Sequence, residues 1–340
     1  MAFRKTFGLL IPLLFSANIW ADSIKIKPNH PHEYTVVKGD TLWDISGKFL
    51  ENPWQWPSLW RNNPQIKNPH LIYPGNTLYF SMVDGKPRLS LSKNHSLQPK
   101  IRKSSIERAI KVIPTDAIAQ FLSSPRVVSE TELQLSPYVV EIVGEHLIAG
   151  TGDRIYVRSI IQPKSLGYTI YRKGETYISP ETGEILGYEA KYIASTTIER
   201  SGDPATLLIT KSANEIRRGD RLMGNNENNL ALNFFPHPPK DNISANIISV
   251  LDGVSQIGQH NIVVLDKGLA DNIKVGHILD IYHSGKTVLD PFSGVLNGTV
   301  QLPDEIAGLL MVFRTFDRVS YALVLEASQA IHLRDKAKTP

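Results

Sequence analysis

The sequence predicts an α+β protein: a small strand–helix–helix–strand module followed by a long, mainly β region. Three observations carry this. Residues 33–81 hold two helix-type apolar patterns between two short β-type runs. Residues 82–115 are basic and rich in Ser, Lys and Pro. From about Pro114, runs rich in Val, Ile, Thr and Tyr recur every roughly 8 to 12 residues between Gly, Asp and Pro turns, the spacing of a sandwich or barrel.

The chain begins with Arg4 and Lys5, then an apolar stretch from Phe7 to Phe15, then SANIWA. This reads as a secretory signal over residues 1–21, with Ala21 suited to the position before cleavage. The apolar run is short for a bilayer span, and Pro12 weakens it as a membrane helix. An uncleaved anchor is the alternative; with cleavage, no stable membrane span follows. The chain has no cysteine, so disulfides, thiolate metal sites, cysteine nucleophiles and lipidated cysteines are all excluded.

Within the module (33–81), YTVV reads as the first strand and GD as a turn. TLWDISGKFL then reads as a helix with Leu42, Ile45 and Phe49 at i, i+3 and i+7. Asp40 or Thr41 can cap it. Pro57 suits the first turn of a second helix, in WPSLWRNN. YPGN then turns the chain into a last strand, TLYF. Four of the five Trp (Trp43, Trp54, Trp56 and Trp60) fall within this module, where they serve as core or as a sugar-stacking surface.

Between Lys86 and Lys111 there are eight Lys or Arg and one acid, Glu107, so the segment carries +7 of a net +4 and leaves −3 for the rest. Residues 82–115 therefore read as a solvated linker that could also attract anionic polymers. Two β-rich domains are expected beyond it, 116–235 and 242–340, with a brief helix near Asp116–Leu122. The segment LNFFPHPPKD (Leu232–Asp241) separates them, and Pro180–Gly183 reads as a hairpin turn. EIRRGDRL (Glu215–Leu222), NIKVGHIL (Asn272–Leu279) and AIHLRDKA (Ala330–Ala337) share an apolar–turn–apolar pattern. Shared turn chemistry and true duplication both account for it.

The run YTVVKGDTLWDIS … NNP … LIYPGNTLYF resembles a LysM domain, a small βααβ module that binds N-acetylglucosamine-containing glycans. The Trp-rich stretch ENPWQWPSLWRNNP is a departure from the shortest form of that pattern. The wider chain resembles a bacterial protein type in which a signal peptide precedes one LysM and a long β-rich region. SGDPATLLITKSANEIRRGDRLM, VLDGVSQIG and AGLLMVFRTFDRVSYALVLEA carry that second likeness.

The resemblance implies a glycan site on Gly39, Asp40, Thr41, Leu42, Asn63, Pro64, Ile66, Leu71, Ile72, Tyr73 and Pro74. Physically, the loops Lys38–Leu42 and Asn63–Pro74 lie side by side if the two strands pair. Gly39 and Gly75 then free backbone groups to meet an acetamide, while Leu42, Ile66, Leu71 and Ile72 supply an apolar floor. One such site corresponds to about −4 to −8 kcal/mol. A polymer offers many such sites, which compensates for weak single contacts.

No catalytic constellation is legible: there is no HExxH zinc motif, no GxSxG elbow and no placeable acid pair. No metal and no cofactor are expected, and nucleic acid is not an expected partner. The sequence therefore reads as a non-catalytic, exported peptidoglycan-binding protein of the cell envelope whose β-rich region contacts an envelope protein partner. The rivals are a cell-wall hydrolase with an unrecognised site in the β-rich half, and a structural envelope protein whose module no longer binds glycan.

Overall fold

The computed structural model describes residues 24–61, 72–91, 112–114, 118, 126–144, 147–160, 165–225, 234–251, 257–292 and 298–340. The expected signal segment, most of the basic stretch, and site residues Asn63, Pro64, Ile66 and Leu71 lie outside them.

The N-terminal module opens with strand β1 (Glu33–Thr35). Helix α1 (Leu42–Phe49) follows, then a 3-10 turn (Pro53–Gln55) and helix α2 (Trp56–Arg61). Strands β2 (Thr77–Val83) and β3 (Lys86–Ser90) complete it, and the sheet order is β1-β2-β3. Thr41, not Asp40, caps α1. Its side chain accepts from the Asp44 N–H, and the Asp44 carboxylate accepts from the Thr41 N–H in a reciprocal capping box. The expected i, i+3, i+7 face is buried, with Leu42, Ile45 and Phe49 fully enclosed. Strand β3 falls in the stretch read from sequence as linker. An Asp84–Gly85 turn with both residues at positive φ lets it fold back on β2, with Tyr79 opposite Ser90 and Val83 opposite Lys86. Pro87 and Leu89 face the core, Lys86 is exposed, and Arg88 is partly buried with its Nε out of reach of water. A basic segment can thus supply an edge strand when alternate apolar residues face the core.

The β-rich region is two closed six-stranded rings. The first starts after strand β4 (Arg126–Val128) and helix α3 (Glu130–Leu135). Its six strands are β5 (Tyr138–Ile142), β6 (Arg154–Arg158), β7 (Gly167–Ile178), β8 (Ile185–Arg200), β9 (Ala205–Ser212) and β10 (Arg221–Gly224). The ring runs β5-β6-β9-β8-β7-β10 and returns to β5, with β4 added outside on β8.

The second ring uses β11 (Ser244–Leu251), β12 (Ile262–Leu265) and β13 (Ile278–His283). A hairpin of β14 (Thr287–Leu289) and β15 (Thr299–Gln301) interrupts it before β16 (Glu305–Thr315), β17 (Ser320–Ala327) and β18 (Lys336–Lys338). Its closed order is β11-β12-β17-β16-β13-β18. By rank along the chain, both rings read first, second, fifth, fourth, third, sixth.

The likeness extends to single hydrogen bonds. Val139 N–H donates to Asp220 O at 2.9 Å in the first ring, and Ile247 N–H to Asp335 O at 3.0 Å in the second. Ala149 bridges Ile216 as Ile257 bridges Ile331. Gly219 and Arg334 hold the same turn position, both at positive φ. The echo between EIRRGDRL and AIHLRDKA is therefore a structural duplication, each leading into the sixth strand of its ring. NIKVGHIL builds the same kind of turn before β13, a third strand, and there turn chemistry alone explains it.

The β7–β8 turn at residues 180–183 forms as expected, with Gly183 at positive φ. It reaches the second ring, where Arg318 pairs with Glu184 at 2.5 and 2.8 Å and Ser249 Oγ donates to Glu175 at 2.9 Å. The module also docks on the second ring. The Trp56 and Phe235 rings stack at 6.4 Å beside it, and the Trp43 backbone N–H donates to Val112 O, in the segment before β4, at 3.1 Å. One apolar core runs continuously from Leu42, Ile45 and Phe49 to Leu309, Met311 and Phe313.

Candidate glycan site and the cleft beside it

The two loops of the expected site are brought together. Val36 N–H donates to Asn76 O, and Gly75 N–H donates back to Val36 O, both at 2.8 Å. Gly39 and Gly75 sit at φ +102° and +83°, where a Cβ would be strained. Asp40 clasps the first loop rather than capping the helix. One of its oxygens accepts from Tyr34 OH at 2.8 Å and from Val37 N–H at 2.9 Å. Burial, with Asp40 as acceptor, pushes the Tyr34 phenol up to about 12, so it stays a donor throughout the physiological range.

Tyr73 N–H donates to the Asn76 side chain at 3.1 Å, which fixes the second turn. Tyr73 and Pro74 keep partly exposed surface beside Gly75. Leu42 and Ile72 are fully buried. They support the loops from beneath and offer no surface to a ligand, so they are core residues and not an accessible floor. Of the tryptophans, Trp43 and Trp56 are core, while Trp54 remains half-exposed.

Comparison with protein families matches residues 34–81 to the LysM domain. Residues 34–81 are a LysM domain. A curated relative, the "Uncharacterized protein YqbP" of Bacillus subtilis, is 41% identical over 58 residues. The match spans 14% of this chain and 26% of that protein, so the likeness is local. A LysM supports binding to peptidoglycan or other N-acetylglucosamine glycans, and such domains typically occur in proteins associated with the cell envelope. Among the described residues, no helix is long and apolar enough to cross a membrane.

Beside the LysM lies a cleft of about 680 Å³ that sequence reasoning missed. Glu51, Pro53 and Trp54 of the LysM form one wall, and Asp280, Leu309 and Glu326 of the second ring form another. The sheet register explains it: Asp280 pairs with Leu309, and Leu309 with Glu326, so the two acids share one row across three strands. Nothing in the sequence separated by 46 positions marks that row. Burial, then the charge of Glu326, raises the Asp280 carboxyl to about 6, and burial raises Glu326.

An acid raised in the folded state binds protons there that the unfolded chain has lost. Asp280 therefore costs stability that builds as pH rises from about 4 to about 6 and stays constant above that. Asp280→Asn should stabilise the protein at pH 7 by on the order of 1–2 kcal/mol, allowing for the water that still reaches the group. The gain should vanish below about pH 4, where both forms are neutral. Urea unfolding of both chains at pH 4 and pH 7 measures it.

Proposed function

We propose that the protein is a non-catalytic peptidoglycan-binding protein, exported to the cell envelope, whose LysM holds glycan strands. The observation that carries this reading is the pair of cross-bonded, glycine-bearing loops in a LysM domain, next to the exposed faces of Tyr73 and Pro74. Gly39 and Asp40 lie at one side of the groove and Tyr73 and Pro74 form the other, while Thr41 is buried with its hydroxyl engaged by Asp44 and holds the first loop from within. Asn63, Pro64, Ile66 and Leu71 belong to the same second loop by their order in the chain. Cleavage after Ala21 would free the protein from the inner membrane.

The β-rich half fits a role in contacting an envelope protein. Among the described residues the β14–β15 hairpin has no counterpart in the first ring, and it exposes Leu289 and Phe292, the latter 94% accessible. Apolar surface of that kind is costly to leave in water without a use.

A second reading, a glycan hydrolase, is favoured by the cleft. Adjacent strands lie about 4.8 Å apart, which puts the Asp280 and Glu326 backbones roughly 10 Å from one another. Their carboxyl groups would have to approach within the about 6.5–9.5 Å of an inverting pair. Titration of the mature chain (22–340) with N-acetylglucosamine oligomers tests the first reading. Intrinsic tryptophan fluorescence or calorimetry should show saturable, micromolar to millimolar binding that tightens with oligomer length. No binding to any oligomer would overturn it.

A further inference from the structure

The two rings can be superposed residue by residue through their registers. Arg221 pairs with Tyr171 in the first, and Lys336 pairs with Tyr282 in the second. Arg172 and His283, the next residues on those strands, are therefore equivalents. Asp220 and Asp335, which precede Arg221 and Lys336, are equivalents too, and so are Arg217 and His332.

In the first ring, Asp220 is buried and accepts from Arg217 N–H at 2.8 Å. Its carboxylate also takes both arms of the Arg172 guanidinium, each at 2.8 Å. This is a closed, bidentate ion pair.

The second ring keeps the buried aspartate and its turn bond: Asp335 accepts from His332 N–H at 2.8 Å. Both arginine positions, however, carry imidazoles. His283 Nδ1 lies 3.0 Å from Asp335 Oδ1, and His332 Nδ1 lies 4.0 Å from Asp335 Oδ2. One ligand-type atom from each of the three residues falls within 4.8 Å of the others. A guanidinium stays protonated and cannot ligate, whereas an imidazole offers a lone pair and is the commonest metal ligand.

We propose that His283, His332 and Asp335 form a site for a divalent transition-metal ion of the zinc class. Tetrahedral zinc holds N and O ligand atoms about 3.3–3.5 Å apart, which the 3.0 and 4.0 Å spacings bracket. His332 is half-exposed, so a small side-chain rotation closes the remaining gap and leaves a fourth position open to water. Lys338, the lysine nearest the end of the chain, is engaged with Asp304 at 3.2 Å.

The ion would join the end of β13 to the turn leading into β18. That strand is three residues long, yet it closes the ring against both β11 and β13. The signal was present in the sequence as His332-x-x-Asp335, but its third member comes from a strand 49 positions earlier.

The test is calorimetric titration of zinc chloride into the untagged mature chain after chelator treatment. Cobalt(II) absorption reports the coordination number. One equivalent of zinc should bind, raise the melting temperature, and give the intense visible band of a low-coordinate cobalt site. His283→Arg rebuilds the arginine–aspartate pair of the first ring, so it should fold normally while weakening zinc binding by at least about 10-fold. His332→Ala should do the same. His237→Ala removes a different histidine pair, His237 with His277 at 5.2 Å between rings, and should leave binding unchanged. Absence of stoichiometric zinc binding would overturn the proposal. So would an equivalent that survives both His283→Arg and His332→Ala, or one lost in His237→Ala alone.

Discussion

Phe49→Ala should unfold the LysM domain and abolish retention on peptidoglycan sacculi. Phe49 is fully buried, ends α1 and stacks on Phe80 with ring centroids 5.8 Å apart and planes 11° from parallel. Removing such a ring leaves a cavity that costs about 3–5 kcal/mol. A single core in a module of this size rarely supplies more than about 3–5 kcal/mol in total. The loss is therefore comparable with what the module's own part of the shared core supplies. Near-UV circular dichroism and a sacculus pull-down on the same sample should fail together. Because the LysM shares its core with the second ring, unfolding should also expose the Leu309–Phe313 surface to a hydrophobic dye.

Gly308→Val should strongly destabilise the second ring. Gly308 lies on β16 between Ile281 of β13 and Ala327 of β17. A Cβ there would run into the carbonyl oxygen of Glu326, which is backbone and cannot rotate away. A forced shift of two strands should cost at least about 3 kcal/mol. For a domain of roughly 100 residues that lowers the melting temperature by about 10 °C or more. Scanning calorimetry should show the transition containing the second ring moving down, with the first ring's transition little changed.

Much of this architecture is legible in the sequence, and the reasons are local. The first helix is written in the spacing of Leu42, Ile45 and Phe49, set by neighbours in the chain, whereas the sequence leaves Asp40 and Thr41 both open as its cap and the Thr41–Asp44 box decides between them. The 180–183 turn is legible for the same reason. Strand β3 was hidden because its lysine and arginine suggest solvent, while only Pro87 and Leu89 report the buried face. Ring closure was hidden because it depends on β5 meeting β10 and β11 meeting β18, and pairings across some 80 to 95 residues leave no local mark.

The site divides along the same line. The glycine-bearing loops could be read from KGD and YPGN. Leu42 and Ile72, in contrast, look the same in sequence whether they line a groove or fill a core, and burial alone separates the two. The Asp280–Glu326 row and the His283–His332–Asp335 cluster both arise from cross-strand register. Asp280 meets Glu326, and His283 meets the local His332–Asp335 pair, only when the ring closes.

The central claim is that this chain holds peptidoglycan through its LysM without cutting it. Its most direct test incubates the purified mature protein with dye-labelled sacculi, followed by assay of both the pellet and the released dye. The protein should pellet with the sacculi, Phe49→Ala should remain in the supernatant, and dye release should equal the protein-free control. Release of dye by the wild-type chain, lost in Glu326→Gln, would contradict the claim and make the cleft a catalytic centre. Equal pelleting of the wild type and Phe49→Ala would contradict it as well, by moving glycan retention off the LysM.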